Sequence, residues 1–151
     1  MKNKYQAFTL IEILIVVSII AILASFVILV VDPAGQLANA RNAQRKTNAL
    51  TILQAVYQYG ADNKGTYPAN IQTSSNCPGA TNEICKTGGA CAGLVDLSVL
   101  TNNELYLTVM PEDPDNSSLN GTGYNVSKSV NGRITVCAPL AEASESINIT
   151  K

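Results

Sequence analysis

The sequence predicts an α+β chain in which a long N-terminal helix, kinked near Asp32-Pro33, packs against a small C-terminal antiparallel sheet, with a disulfide-tied loop region between them. Three observations carry that expectation. Across residues 8–31 the only polar side chains are Thr9, Glu12, Ser18 and Ser25. Ala49, Ile52, Leu53, Val56 and Tyr57 then recur at the i, i+3, i+4 spacing of one helix face. Near the C-terminus, residues 124–127 and 133–137 alternate in character across Asn131-Gly132, and Asn-Gly is the preferred dipeptide of two-residue hairpins.

The apolar run comes first. At about 1.5 Å per residue, a helix over residues 8–31 is about 36 Å long, enough to cross a hydrocarbon core of about 30 Å. A carboxylate at membrane depth, such as that of Glu12, costs about 3 kcal/mol unless something neutralises it. No cation lies within a helical turn of Glu12; the nearest are Lys2 and Lys4 upstream. Cutting the chain before Phe8 would create an α-amino group with an unperturbed pKa of about 8. That amine would answer the carboxylate within one chain or in a neighbouring one. Ser18, Ala21 and Ser25 recur at i, i+3 and i+7, and small side chains on one face let apolar helices approach closely. A secretory signal fits poorly. Its apolar core spans about 7–15 residues with a small-x-small site close behind, and here the first such triplet, Ala38-Asn39-Ala40, comes late. Lys2 and Lys4 before the run and Asp32 after it orient the N-terminus inward, leaving the bulk of the chain extracytoplasmic.

Lys4-Tyr5-Gln6-Ala7 followed by Phe8-Thr9-Leu10-Ile11-Glu12 resembles the leader and processing site of type IV pilins and of the pseudopilins of type II secretion. The resemblance covers residues 4–31 and implies a pilin-like fold. It also implies removal of a cytoplasmic leader, residues 1–7, by a prepilin peptidase cutting between Ala7 and Phe8, then N-methylation of Phe8. Glu12 would guide docking into a growing filament. One departure is Ala7, where that family usually has glycine. The implied partners are the peptidase, an inner-membrane assembly platform, the membrane itself before assembly, and copies of this chain or related pilins in a helical polymer. The implied location is a single-pass inner-membrane precursor, later an extracellular pilus or a periplasm-spanning pseudopilus. The expected function is that of a structural subunit of a filament for adhesion, motility or DNA uptake. A pseudopilin or minor pilin is the alternative, and a membrane-tethered receptor for DNA or a surface stands third.

The remaining elements come in chain order. Asp32 suits an N-cap and Pro33 a first helical residue, so a second, amphipathic segment is expected over residues 32–60, running to about Tyr59 with Gly60 as C-cap. Its opening stretch, Asp32-Pro33-Ala34-Gly35-Gln36-Leu37 and on to Arg45, also resembles the segment after the anchor in many bacterial pilin-like proteins. Arg41, Arg45 and Lys46 read most simply as a solvated face, or as a surface meeting acidic groups of a neighbouring subunit. The rest, residues 61–151, forms the expected globular head. Residues 61–93, rich in Gly, Ser, Thr, Asn and Ala, read as an irregular connection. A short helix is expected near residues 97–100 and an extended or helical turn near 105–109, stopped by the prolines of 111–114. Gly121-Thr122-Gly123 reads as a loop, and strands are expected at about 123–150, about three in number, with residues 146–150 as the last.

Composition limits the chemistry. Histidine is absent, which removes the usual general base, and neither an enzyme nor a cofactor is expected. All four cysteines, Cys77, Cys85, Cys91 and Cys137, lie on the expected extracytoplasmic side. An even count there favours two disulfides, with three pairings open; a zinc site lacks histidine and a Cys-x-x-Cys pair. The acidic run Glu112, Asp113 and Asp115 reads as a solvated turn rather than a calcium loop. Net charge is −1 and no basic face stands out, so nucleic acid remains a candidate partner that charge does not support.

Overall fold

The structure, a computed structural model, describes residues 8–30, 32–78 and 82–151. The expected leader, residues 1–7 with Lys2, Lys4 and Ala7, lies outside the described residues, as does Val31. The chain divides into two units, Met1–Gln36 and Leu37–Lys151, each described by itself.

In the first unit, α1 (Leu10–Val30) is the apolar helix. Phe8 and Thr9 precede it in non-helical conformation. Thr9 starts it: its Oγ1 accepts the Glu12 N–H at 3.3 Å, and its carbonyl accepts the Ile13 N–H at 3.3 Å. That is one half of the S/T-x-x-E capping box, with Glu12 at the third helical position. The next helix, α2 (Pro33–Asp62), starts as expected at Asp32-Pro33. Asp32 caps it, its Oδ1 accepting the Gly35 N–H at 3.1 Å and its carbonyl accepting from Gln36 at 3.1 Å.

In the second unit, residues 37–62 of α2 lie against an antiparallel sheet of four strands in the order β1-β2-β3-β4. These are β1 (Glu83–Cys85), β2 (Gly121–Lys128), β3 (Ile134–Ala138) and β4 (Ile147–Thr150). The expected arc of Ala49, Ile52, Leu53 and Val56, joined by Ala55, is buried with Tyr124, Val126, Ile134, Val136 and Ile147. A short helix, α3 (Ser98–Thr101), lies in the connection as expected, and Leu97 and Leu100 complete the core.

Several expectations are corrected. The second helix does not stop at Gly60. It runs to Asp62, and the left-handed exit belongs to Lys64 and Gly65, whose N–H donates back to the Gly60 carbonyl at 2.7 Å. Gly60 is instead a close-approach site, since a Cβ there would stand 2.7 Å from the Tyr67 ring. The 61–93 connection is not wholly irregular: β1 pairs with β2, and Val95 lines the far side of β1, donating to the Glu83 carbonyl at 2.7 Å and accepting from Cys85 at 3.0 Å. Three residues with little alternation carry too weak a pattern to be read as a strand. Gly121-Thr122-Gly123 opens β2 rather than preceding it. Gly123 has φ +80°, and a Cβ there would lie 2.8 Å from Asp113 Cβ. The β2–β3 turn is not of the two-residue type. Only Gly132 has positive φ; Gly132 N–H donates to the Ser129 carbonyl, and Ser129 N–H to that of Arg133. This is the three-residue loop with a glycine bulge.

Two disulfides form, Cys77–Cys137 and Cys85–Cys91. The first ties the connection after α2, at Cys77, to β3. The second closes a small ring after β1.

Candidate functional site

Of the residues expected to act in processing and assembly, Glu12, Ser18, Ala21 and Ser25 lie on α1 and Phe8 just ahead of it, while Ala7 lies outside the described residues. Phe8 is exposed ahead of the helix, and Glu12 is exposed in its first turn. Every described side chain of α1 is exposed, and residues 10–27 are apolar enough to cross a membrane. At the third helical position the carboxylate of Glu12 faces the positive end of the helix dipole, an interaction of about 0.3–1 kcal/mol. That term offsets only a fraction of the cost of placing it in lipid. Ser18 and Ser25 turn their hydroxyls onto their own helix, donating to the Leu14 carbonyl at 2.8 Å and to that of Ala21 at 2.9 Å. The face they share with Ala21 therefore presents no unmet donor to a neighbouring helix.

A second constellation, in the α/β unit, escaped the sequence reading. The buried stripe of α2 does not end at Ala49; it continues through Arg45 and Asn42, one and two turns earlier. Arg45 is fully buried and grips Asp113 with two bonds, Nε to Oδ2 at 2.7 Å and Nη2 to Oδ1 at 3.0 Å. Its Nη1 donates to Asn42 Oδ1 at 2.9 Å and to Glu142 Oε2 at 2.7 Å. Arg41 also binds Glu142, and Lys46 pairs with Glu145. Asn42 Nδ2 donates to the Glu142 carbonyl and its Oδ1 accepts the Glu142 N–H. Arg41, Arg45 and Lys46 are thus not a free solvated face, and their acidic partners lie in the same chain. Nor is the 112–115 turn wholly solvated, because Asp113 is buried beneath it. Arg45 was legible in one respect: it falls four residues before Ala49 and seven before Ile52, on the register of the apolar arc.

Electrostatics follow from this geometry. Hydrogen bonds from Arg41 and then Arg45 pull the Glu142 carboxyl down from 4.5 to about 2, and Lys46 lowers that of Glu145. Both shifts mean that the folded state holds the ionised form more strongly than the unfolded chain does. Their contribution to stability is therefore present above the ordinary carboxylate value of 4.5 and is lost as pH falls towards 2. The urea midpoint should drop through that window, and Glu142→Gln should flatten the drop. Identical profiles for variant and wild type would refute the assignment. At the other edge of the cluster, burial pushes the Tyr124 hydroxyl up to about 12, and Asn48 donates to it at 3.1 Å. Among the described residues no group of three or more His, Cys, Asp or Glu side chains could hold a metal ion.

An apolar helix whose described side chains are exposed, with an acid in its first turn and a disulfide-tied α+β unit after it, fits a membrane-anchored precursor and the α+β, pilin-like class. Residues 2–28 match the prokaryotic N-terminal methylation motif, the prepilin-type signature of type IV pilins and pseudopilins. The match supports a type IV pilin- or pseudopilin-like precursor; proteins that carry this motif are structural, and the motif implies processing machinery and assembly into polymers in general. The match ends within α1 and does not reach the α+β unit. No curated protein and no solved structure matches the chain.

Proposed function

We propose that this chain is a pilin: a single-pass inner-membrane precursor cut between Ala7 and Phe8, methylated at Phe8, and polymerised into a type IV pilus-like extracellular filament. The observation that carries this reading is Glu12, an acid in the first turn of an apolar helix whose described side chains are all exposed. Lipid covers that surface before assembly, and neighbouring helices cover it afterwards. Cleavage creates an amine four residues before Glu12, and the amine of an adjacent subunit neutralises the carboxylate as the helix leaves the bilayer. Ser18, Ala21 and Ser25 supply the face for close helix approach. Residues 61–151 form the head on the outside of the filament.

Intact mass and N-terminal sequencing of assembled material should give a chain beginning at methylated Phe8; retention of Met1 in filaments would refute the processing step. Glu12→Ala should leave cleavage intact and cut incorporation into filaments at least tenfold. Equal assembly of variant and wild type would remove the docking role.

A further inference from the structure

Asn-Gly occurs twice in the chain, at Asn120-Gly121 and at Asn131-Gly132. The dipeptide has a chemistry of its own besides its preference for turns. Glycine sets no side chain beside its own nitrogen, so that nitrogen has a clear approach to the carboxamide carbon of the preceding asparagine. The structure holds the two pairs very differently. Asn120 is pinned by three bonds. Its carbonyl accepts the Lys86 N–H at 2.8 Å, its Oδ1 accepts the Ala90 N–H at 3.1 Å, and the Gly121 N–H donates to Ser118 Oγ at 2.9 Å. Gly121 is also buried, and it is the register partner of Cys85 in the β1–β2 ladder.

Asn131 sits exposed at the tip of the β2–β3 hairpin. The loop is closed by Ser129: its N–H donates to the Arg133 carbonyl at 2.8 Å, its carbonyl accepts the Gly132 N–H at 2.9 Å, and its Oγ accepts the Arg133 N–H at 3.0 Å. None of these bonds uses the Asn131 side chain. The space beside Gly132 is open as well, with nothing within 4 Å of where a Cβ would stand. One turn bond therefore separates the Gly132 nitrogen from reaction, and exposed loop tips open at a small fraction of the global unfolding free energy. Two residues further on stands Arg133, exposed and in no ion pair among the described residues. No acidic side chain occurs in 121–141.

We propose that Asn131 is a modification site, converted in the folded protein to aspartate and isoaspartate through a succinimide, while Asn120 is spared. The Gly132 nitrogen bonds to Asn131 Cγ as the carboxamide C–N bond breaks, and ammonia leaves with the proton that the nitrogen gives up. Water then adds to one of the two ring carbonyls, the ring C–N bond at that carbon breaks, and the nitrogen regains a proton. Opening at Cγ gives aspartate. Opening at the main-chain carbonyl gives isoaspartate, which carries the backbone through one extra methylene and lengthens the loop that Ser129 closes. Both products place a new carboxylate two residues from Arg133, in a stretch that otherwise holds no acid. The hairpin tip thereby changes charge without any enzyme, and the inference does not rest on processing or polymerisation.

The test incubates the full chain in neutral detergent and mildly alkaline buffer, with peptide mapping by mass spectrometry over days. The peptide holding Asn131 should gain the mass difference between carboxamide and carboxylate at least tenfold faster than the peptide holding Asn120. Its product should separate into two species, one of them matching the peptide from Asn131→Asp. A reduced, denatured sample should close the gap between the two sites to less than threefold, because the restraint on Asn120 is tertiary. Ser118→Ala, which removes the acceptor of the Gly121 N–H, should speed conversion at Asn120 severalfold and leave Asn131 unchanged. Asn131→Gln, whose ring would need one more atom, should abolish the signal at the hairpin with an unaltered melting curve. Equal rates at the two sites in the folded chain overturn the proposal. So does an Asn131 that converts only after denaturation, or a rate difference that persists unchanged in the denatured sample.

Discussion

Replacing Arg45 by Met should destabilise the α/β unit by about 3–5 kcal/mol, the usual cost of removing one partner from a buried ion pair. The side chains of Arg45 and Asp113 are both wholly buried. Without the guanidinium, Asp113 keeps the Asp115 N–H at 2.9 Å but loses both charge-assisted bonds. Asn42 and Glu142 each lose a donor as well. A loss of that size lowers Tm by roughly 10 °C or more in a unit of this length. Arg45→Lys should fall between Met and wild type, because one ammonium cannot span two Asp113 oxygens and also reach Asn42 and Glu142. Arg45→Met/Asp113→Leu should recover much of the loss, since burying neither charge is cheaper than burying one. A single Met variant melting within 2 °C of wild type would falsify this account of the cluster.

The second large effect separates the two disulfides. In the chain-entropy description, a cross-link stabilises in proportion to the logarithm of the loop it closes. Cys77–Cys137 spans 60 residues of sequence and Cys85–Cys91 only 6. The corresponding contributions are about 4 and about 2 kcal/mol. Cys77→Ala/Cys137→Ala should therefore melt roughly 8 °C lower than Cys85→Ala/Cys91→Ala. The longer link also holds the 72–74 segment near β2, where Lys128 N–H donates to the Gln72 carbonyl and Ser74 N–H to that of Lys128, each at 3.0 Å. Hydrogen exchange at Lys128 and Ser74 should accelerate only in the first variant. Should the short ring prove the more costly to remove, loop closure is not what these bonds supply.

Periodicity made much of the fold legible. Apolar residues at 49, 52, 53 and 56 mark one helix face by their own spacing, and alternation at 124–127 and 133–137 marks strands. Asp32-Pro33 announces a helix start because its cap is local chemistry, within three residues of what it bonds. β1 was not legible, because it is held by partners at Asn125, Gly121 and Val95 rather than by its own pattern. The exit of α2 was misplaced for a related reason: Gly60 looks like a terminator, but Tyr67, folded back from beyond the helix, explains why a glycine is there.

By itself, then, the sequence determined that residues 8–31 hold a membrane-length apolar run bearing one acid, that an α+β unit comes after it, and that its cysteines number enough for two bonds. Such features depend on residues within a few positions of each other, and short-range spacing is visible in a linear text. Which cysteines join, which charges are sheltered and which are bare was decided by tertiary structure alone. Arg45 looks identical to Arg133 until Asp113 and Glu142 arrive from 68 and 97 residues away. A charge's cost and use depend on what surrounds it in space, and folding chooses those surroundings from distant parts of the chain.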